Sequence, residues 1–229
     1  MKFNLPRRIA TEFLGTAFLL AAVVGSGIMG QRLSGGNVAV ALLANSLATG
    51  TALIALILAL GPISGAHFNP AVSLADAMQG GIAWREVPGY VVAQLIGAFA
   101  GVGAAHLMFG LPLFFRSHHP RSGGALLWSE FIATFGLLVV IWGCARSRSS
   151  VVALAVGSYI TGAYWFTAST SFANPAVTLA RAASDTFTGI RPLDAPAFIA
   201  AQLAGAIAAS LGCRWLARSP AAHASKGEA

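Results

Sequence analysis

The tripeptide Asn-Pro-Ala occurs twice, at Asn69-Pro70-Ala71 and Asn174-Pro175-Ala176, each time opening a nearly identical nonapeptide. The first reads NPAVSLADA (residues 69–77) and the second NPAVTLARA (residues 174–182). Seven of the nine positions are identical, and one more is a Ser/Thr exchange. A single tripeptide carries little information. Two matched nonapeptides, one in each half of an apolar chain, point to an internal duplication with a site where the copies meet, the pattern of a membrane channel built from inverted repeats.

The bilayer is the natural solvent for this chain. Of its 229 residues 56% are hydrophobic and only 9% charged, with a mean hydropathy of +0.73. A soluble domain carries about 25% charged residues, so this one could not cover a surface with polar groups. The net charge of +7 comes from scattered basic residues, without the cluster that nucleic-acid binding needs. Cys144 and Cys213 lie near the ends of apolar runs and give no disulfide framework.

Six runs approach the roughly 20 apolar residues that a spanning helix needs: 9–29, 38–60, 87–109, 126–145, 151–167 and 195–217. The fifth is short, and its ends must reach into flanking polar residues. The basic N-terminus followed by an apolar run resembles a signal peptide, but Glu12 interrupts that run, which then continues too long, so a retained first span is expected. The polar tail, 218–229, has the composition of a disordered segment.

An even number of spans puts both termini on one side. With that side cytoplasmic it receives nine basic residues (Lys2, Arg7, Arg8, Arg85, Arg146, Arg148, Arg214, Arg218, Lys226) against five (Arg32, Arg116, Arg121, Arg181, Arg191) on the other. That is a modest positive-inside bias, and the compact chain suits a bacterial inner membrane.

The duplication extends beyond the nonapeptides. Glu12-Phe13-Leu14-Gly15-Thr16 is echoed by Glu130-Phe131-Ile132-Ala133-Thr134, and Gln94-Leu95-Ile96-Gly97 by Gln202-Leu203-Ala204-Gly205, in the same order. Residues 1–110 thus form a first repeat, 111–125 a connecting loop and 126–217 a second repeat. Three spans per repeat is an odd number, so the repeats are inverted. Gly97-x-x-x-Gly101 and Gly205-x-x-x-Ala209 occupy matching places and permit close backbone approach.

Between the second and third span of each repeat, the stretches 69–78 and 174–183 are too short to cross a membrane. Asn is a preferred N-cap and Pro suits the first helical turn. Each stretch therefore reads as a half-helix that starts at the midplane and runs back to its own side. Irregular backbone at that depth must be buried in protein or line a wet cavity.

On these residues, and on Ser64-Gly65-Ala66-His67-Phe68 leading into the first NPA, the chain resembles the major intrinsic protein family, the aquaporins and aquaglyceroporins. The resemblance implies an all-α membrane protein with six spans and two NPA half-helices. It implies a homotetramer in the lipid bilayer, each protomer with its own pore passing small neutral solutes in single file, and no cofactor, metal or catalysis. Asn69 and Asn174 would offer amide donors to a passing solute at the meeting point of two positive helix ends. His67 resembles the family's pore-flanking histidine, against the plainer reading of a loop histidine satisfied by backbone. Glu12 and Glu130 match acids that fix the NPA loops, against snorkelling to a headgroup.

The family usually carries Arg immediately after the second NPA, as part of an outer filter; here that position is Val177. Carried over by spacing from the NPA asparagines, the other filter positions are Thr49, Gly162 and Ser171. The expectation is a wide, weakly polar constriction without aromatic, imidazole or charge. Phe172 and Arg181 are further pore-lining candidates; Arg181 lies one helical turn beyond Val177, and its plainer role is to complement the end of the half-helix. Such a filter suits glycerol-like polyols or neutral metalloid hydroxides such as arsenous acid. The rivals are a water-selective channel and an inverted-repeat secondary transporter, which would need protonatable groups at the midplane.

Overall fold

Asparagine and proline set where many of the helices begin. Asn4, Asn37, Asn69 and Asn174 each accept a hydrogen bond from a first-turn amide, and Pro6, Pro70 and Pro175 sit in first turns, where a missing N–H costs no intrahelical bond. A computed structural model describes residues 3–147 and 149–217, and among these are eight α-helices. They are α1 (Leu5–Leu33), α2 (Val38–Ser64), α3 (Pro70–Gln79), α4 (Val87–Met108), α5 (Gly124–Ser147), α6 (Val152–Phe166), α7 (Pro175–Arg181) and α8 (Ala195–Leu216). Five of them, α1, α2, α4, α5 and α8, are long and apolar enough to cross a membrane. The 15-residue α6 reaches about 22 Å; a 3-10 turn at Ser149–Val151 extends it into the polar flank at its N-terminal end, whereas its other end stops at Phe166, so only one of the two ends borrows as expected. The second half-helix stops at Arg181, two residues short of its expected end, because Ala182 and Ala183 close onto Leu179 and Ala180 in turns. The tail 218–229 and the charges at Lys2, Arg148, Arg218 and Lys226 lie outside the described residues.

Helices α1–α4 and α5–α8 are the two inverted repeats. α1 packs on α4 and α5 on α8 within repeats, and α2 packs on α6 between them. Each half-helix crosses over: α3 lies against α8, and α7 against α4. We call the side on which α1 begins and α8 ends the terminal face, and the other the distal face.

Polarity runs inside out. Phe18, Ile96, Trp128 and Trp215 are exposed, whereas Glu12, Gln94, Glu130 and Gln202 are completely buried. Only an apolar solvent makes that distribution favourable. Close helix approach explains the matched small residues: a methyl group at Gly97 would overlap the Phe13 carbonyl oxygen, and one at Gly205 the carbonyl of its counterpart, Phe131. Gly101 meets the Ala17 carbonyl in the same way.

One size exchange distinguishes the repeats. Gly15 leaves room for the ring of Phe68, which a Cβ at residue 15 would strike. The equivalent pair in the second repeat is Ala133 and Ala173, both buried. Gly15→Ala is therefore expected to destabilise by about 1–3 kcal/mol through overpacking. In a double-mutant cycle with Phe68→Ala the two changes should be non-additive by at least about 0.5 kcal/mol, read from melting in detergent; strict additivity would show that the glycine is not making room for the ring.

Candidate pore and its two mouths

The NPA loops hold a conformation that L-residues avoid. Gly65 ends α2 with φ +93°, and Ala66 and Phe68 follow at +52° and +50°. Ser171 and Ala173 repeat the pattern at +50° and +48°. Such residues cost of order 1–3 kcal/mol each, so the loops must be held from outside, and two buried carboxylates hold them.

Glu12 Oε1 accepts from Ser64 Oγ (2.6 Å) and the His67 amide (3.0 Å), and its Oε2 from the Phe68 amide (2.7 Å) and Gln94 Nε2 (2.8 Å). Glu130 accepts from the amides of Phe172 and Ala173 (both 2.9 Å) and from Gln202 Nε2 (2.6 Å). Gln94 and Gln202 each donate a second bond, to Ser73 Oγ (2.9 Å) and Thr178 Oγ1 (2.8 Å), the one Ser/Thr exchange within the nonapeptides. Helix, loop and half-helix are thereby tied together in each repeat. The glutamine echo was visible in the sequence, but its role needed the fold.

The repeats then clasp each other. Asn69 Oδ1 caps α3 at the Ala71 amide (2.9 Å), and its Nδ2 donates to the Ala173 carbonyl of the other loop (2.7 Å). Asn174 Oδ1 caps α7 at Ala176 (3.0 Å), and its Nδ2 donates to the Phe68 carbonyl (2.8 Å). Each amide has two N–H donors, so one remains beyond the clasp. Both asparagines line a cavity of about 910 Å³, which runs from Asp76, Gln79 and Arg146 at the terminal face to Thr49, Tyr164 and Arg181 towards the distal face. Pro70, Ala71, Pro175 and Ala176 are buried behind the asparagines and start the half-helices without lining the cavity.

The other expected site residues divide. Thr49, Ser171, Val177, Phe172, His67 and Arg181 all line the cavity. Gly162 does not: it is exposed on the outer side of α6, with nothing near the place of a Cβ. The pore side of α6 belongs to Ile160 and Tyr164, and the Tyr164 hydroxyl lies 3.2 Å from Thr49 Oγ1. Glu12 and Glu130 are buried away from the cavity, as loop-anchoring demands. His67 faces the cavity, with Nδ1 3.1 Å from Ser73 Oγ and Nε2 3.6 Å from Asp76 Oδ2.

The expectation of a constriction without aromatic or charge is corrected at the distal end. Arg181 is not a surface residue complementing a helix end: it is 2% exposed, donates through Nε to the Thr188 carbonyl and lies over the Phe172 ring, 3.4 Å from guanidinium carbon to ring centroid. It occupies the position in its nonapeptide that Asp76 occupies in the first, as Phe172 matches His67. One mouth therefore carries a carboxylate beside an imidazole and the other a guanidinium on a phenyl ring.

A second cation arrives from a place that spacing could not indicate. The loop between the repeats is drawn over the end of α7 by the Phe115 and Ser117 amides, which bond to the carbonyls of Ala183 and Ala182. The buried His106 ring steadies it, 2.8 Å from both the Leu113 carbonyl and Ser184 Oγ. The loop carries Arg121 inward, where Nε donates to the Gly189 carbonyl (2.8 Å), Nη1 to the Ser169 carbonyl (3.2 Å), and the guanidinium lies over the same Phe172 ring. Burial pushes the Arg121 guanidinium below its usual value. Arg121 and Arg181 both border a smaller cavity of about 190 Å³, with Thr170, Phe187 and Thr188.

Five long apolar helices and the shorter α6, two half-helices clasped end to end by their capping amides, and a cavity running past both caps define an inverted-repeat membrane channel. The sequence matches the major intrinsic protein family over residues 1–163 and 147–227, and the chain belongs to that family, whose members are channels and not enzymes. It is a passive channel for small neutral solutes. The chain is 53% identical to "Aquaglyceroporin AqpS" of Rhizobium meliloti, over 94% of this chain and 92% of that protein. It is 36% identical to "Aquaporin NIP1-1" of Oryza sativa, over 70% of this chain and 58% of that protein. The X-ray structure of the aquaglyceroporin from Plasmodium falciparum shares the fold, with a TM-score of 0.70 over 93% of this chain and 95% of that one, at 24% identity.

Proposed function

We propose that this channel conducts neutral polyhydroxylated solutes larger than water, with glycerol the conservative candidate and metalloid hydroxides such as arsenous acid within reach. The observation that carries the reading is the mixed lining of the cavity. Leu19, Val23, Leu53, Val72 and Val177 are apolar, while Asn69, Asn174, Thr49 and Tyr164 supply hydrogen-bonding groups. A polyol carries both C–H groups and hydroxyls and can use both kinds of lining. Water gains nothing from the apolar residues. The likeness to a bacterial aquaglyceroporin over nearly the full length supports the same reading.

The assembly we propose is a homotetramer with one pore per protomer, in a bacterial inner membrane with both termini cytoplasmic. A proton-coupled transporter is disfavoured because Glu12 and Glu130 are engaged by loop amides and a glutamine and neither lines the cavity.

The direct test is stopped-flow measurement of water, glycerol, urea and arsenous acid permeation in proteoliposomes. Glycerol and arsenous acid should move down their gradients well above protein-free vesicles. Water flux alone, or accumulation against a gradient, overturns the assignment.

The asparagine clasp gives a sharper test. Asn174→Asp keeps the cap on Ala176 but replaces the donor to the Phe68 carbonyl by an acceptor and adds negative charge where two helix N-termini meet. Glycerol flux should fall roughly tenfold, as for loss of one hydrogen bond of about 1.4 kcal/mol, and a cation conductance should appear. Unchanged flux without cation leak would remove the paired amides from the conduction path.

A further inference from the structure

We infer that the smaller distal cavity binds a small inorganic oxyanion of the class of sulfate or phosphate. Three observations converge on it. First, Arg121 from the connecting loop and Arg181 from α7 reach this one cavity and lie over one phenyl ring. Two like charges at one cavity repel, and an anion bound there turns that cost into attraction.

Second, no carboxylate forms an ion pair with either guanidinium among the described residues. The nearby acids are engaged elsewhere. Asp194 pairs with Arg191 at 2.9 Å and accepts the Arg121 backbone amide, not its side chain. Asp185 pairs with His118 at 3.0 Å and is 3.7 Å from His119. Glu130 is taken up by loop amides and Gln202.

Third, the side chain of Arg181 is almost wholly buried yet under-used. Only its Nε has a protein acceptor, and its two Nη groups have none among the described residues. A guanidinium fork with free N–H groups matches an oxyanion in geometry and charge. The hydroxyl-bearing residues Thr170 and Thr188 border the same cavity. Because Arg181 also lines the pore, occupancy bears on solute flow.

The same charge chemistry could attract an anionic lipid headgroup, so the test separates the two sources. Sodium sulfate is titrated calorimetrically into the full chain in lipid-free detergent, with ionic strength held constant by sodium chloride. Saturable binding of one sulfate per protomer is expected. Arg121→Gln should weaken it at least about tenfold, and Arg121→Lys, which keeps the charge and loses the fork, should fall between. In proteoliposomes, sulfate on the distal side should lower glycerol efflux with the same concentration dependence. Absence of saturable binding to the unmodified chain overturns the assignment whatever the variants do. So does an affinity that is unchanged in folded Arg121→Gln, or thermal protection seen only in vesicles containing phosphatidylglycerol and never with sulfate in detergent.

Discussion

Glu12→Leu is expected to abolish folded, conducting protein, whereas Glu12→Gln should fold and conduct with a lowered melting temperature. The carboxylate accepts four hydrogen bonds, two from backbone amides in the strained loop and one each from Ser64 and Gln94. Leucine leaves those donors buried without partners at about 1–3 kcal/mol each. Their sum rivals the whole stability of a typical domain, about 5–15 kcal/mol. Glutamine keeps one carbonyl oxygen with two lone pairs, so part of the set survives. Glu130 accepts three bonds rather than four, and Glu130→Leu should be the milder of the two leucine variants. Monodisperse yield, melting in detergent and glycerol flux read all three expectations. Leucine variants as stable and active as the glutamine variants would show that the loops hold their conformation unaided.

How far the sequence led, and where it stopped, follows from the range of each interaction. Span positions depend on local hydropathy, and α2 and α4 begin where their apolar runs do. The half-helix starts depend on Asn-Pro capping, which is local chemistry, and they too were legible. Gly162 failed for a geometric reason. Transfer by spacing presumes a fixed register on α6, and one helical residue turns the face by about 100°. Two residues farther on, Tyr164 reaches the pore. Arg121 was invisible for a different reason. Its place depends on how the connecting loop is pinned by Ala182, Ala183 and His106, contacts that no spacing rule encodes. Arg8 shows the same limit: counted as a topology charge, it is buried against Tyr90 and Glu86.

Val177→Arg should raise the ratio of water to glycerol flux by roughly tenfold, a difference of about 1.4 kcal/mol between the two barriers. Val177 is 5% exposed and lines the cavity one turn below Arg181 on the same half-helix. An arginine there adds bulk that a polyol must pass and donors that hold its hydroxyls. Water needs less width. It also places a second guanidinium at i and i+4 relative to Arg181, a destabilising like-charge spacing, so some loss of melting temperature is expected as well. Arg181→Ala in the wild-type background should move selectivity the other way, because it removes the cation that borders both the main cavity and the smaller distal one. The double variant, Val177→Arg with Arg181→Ala, carries a single guanidinium shifted one turn inward and relieves the repulsion. Its melting temperature should recover while its water-to-glycerol ratio stays high. If the folded Val177→Arg channel keeps the parental ratio, residue 177 does not govern the constriction. If Arg181→Ala is equally silent, selectivity resides at Thr49 and Tyr164.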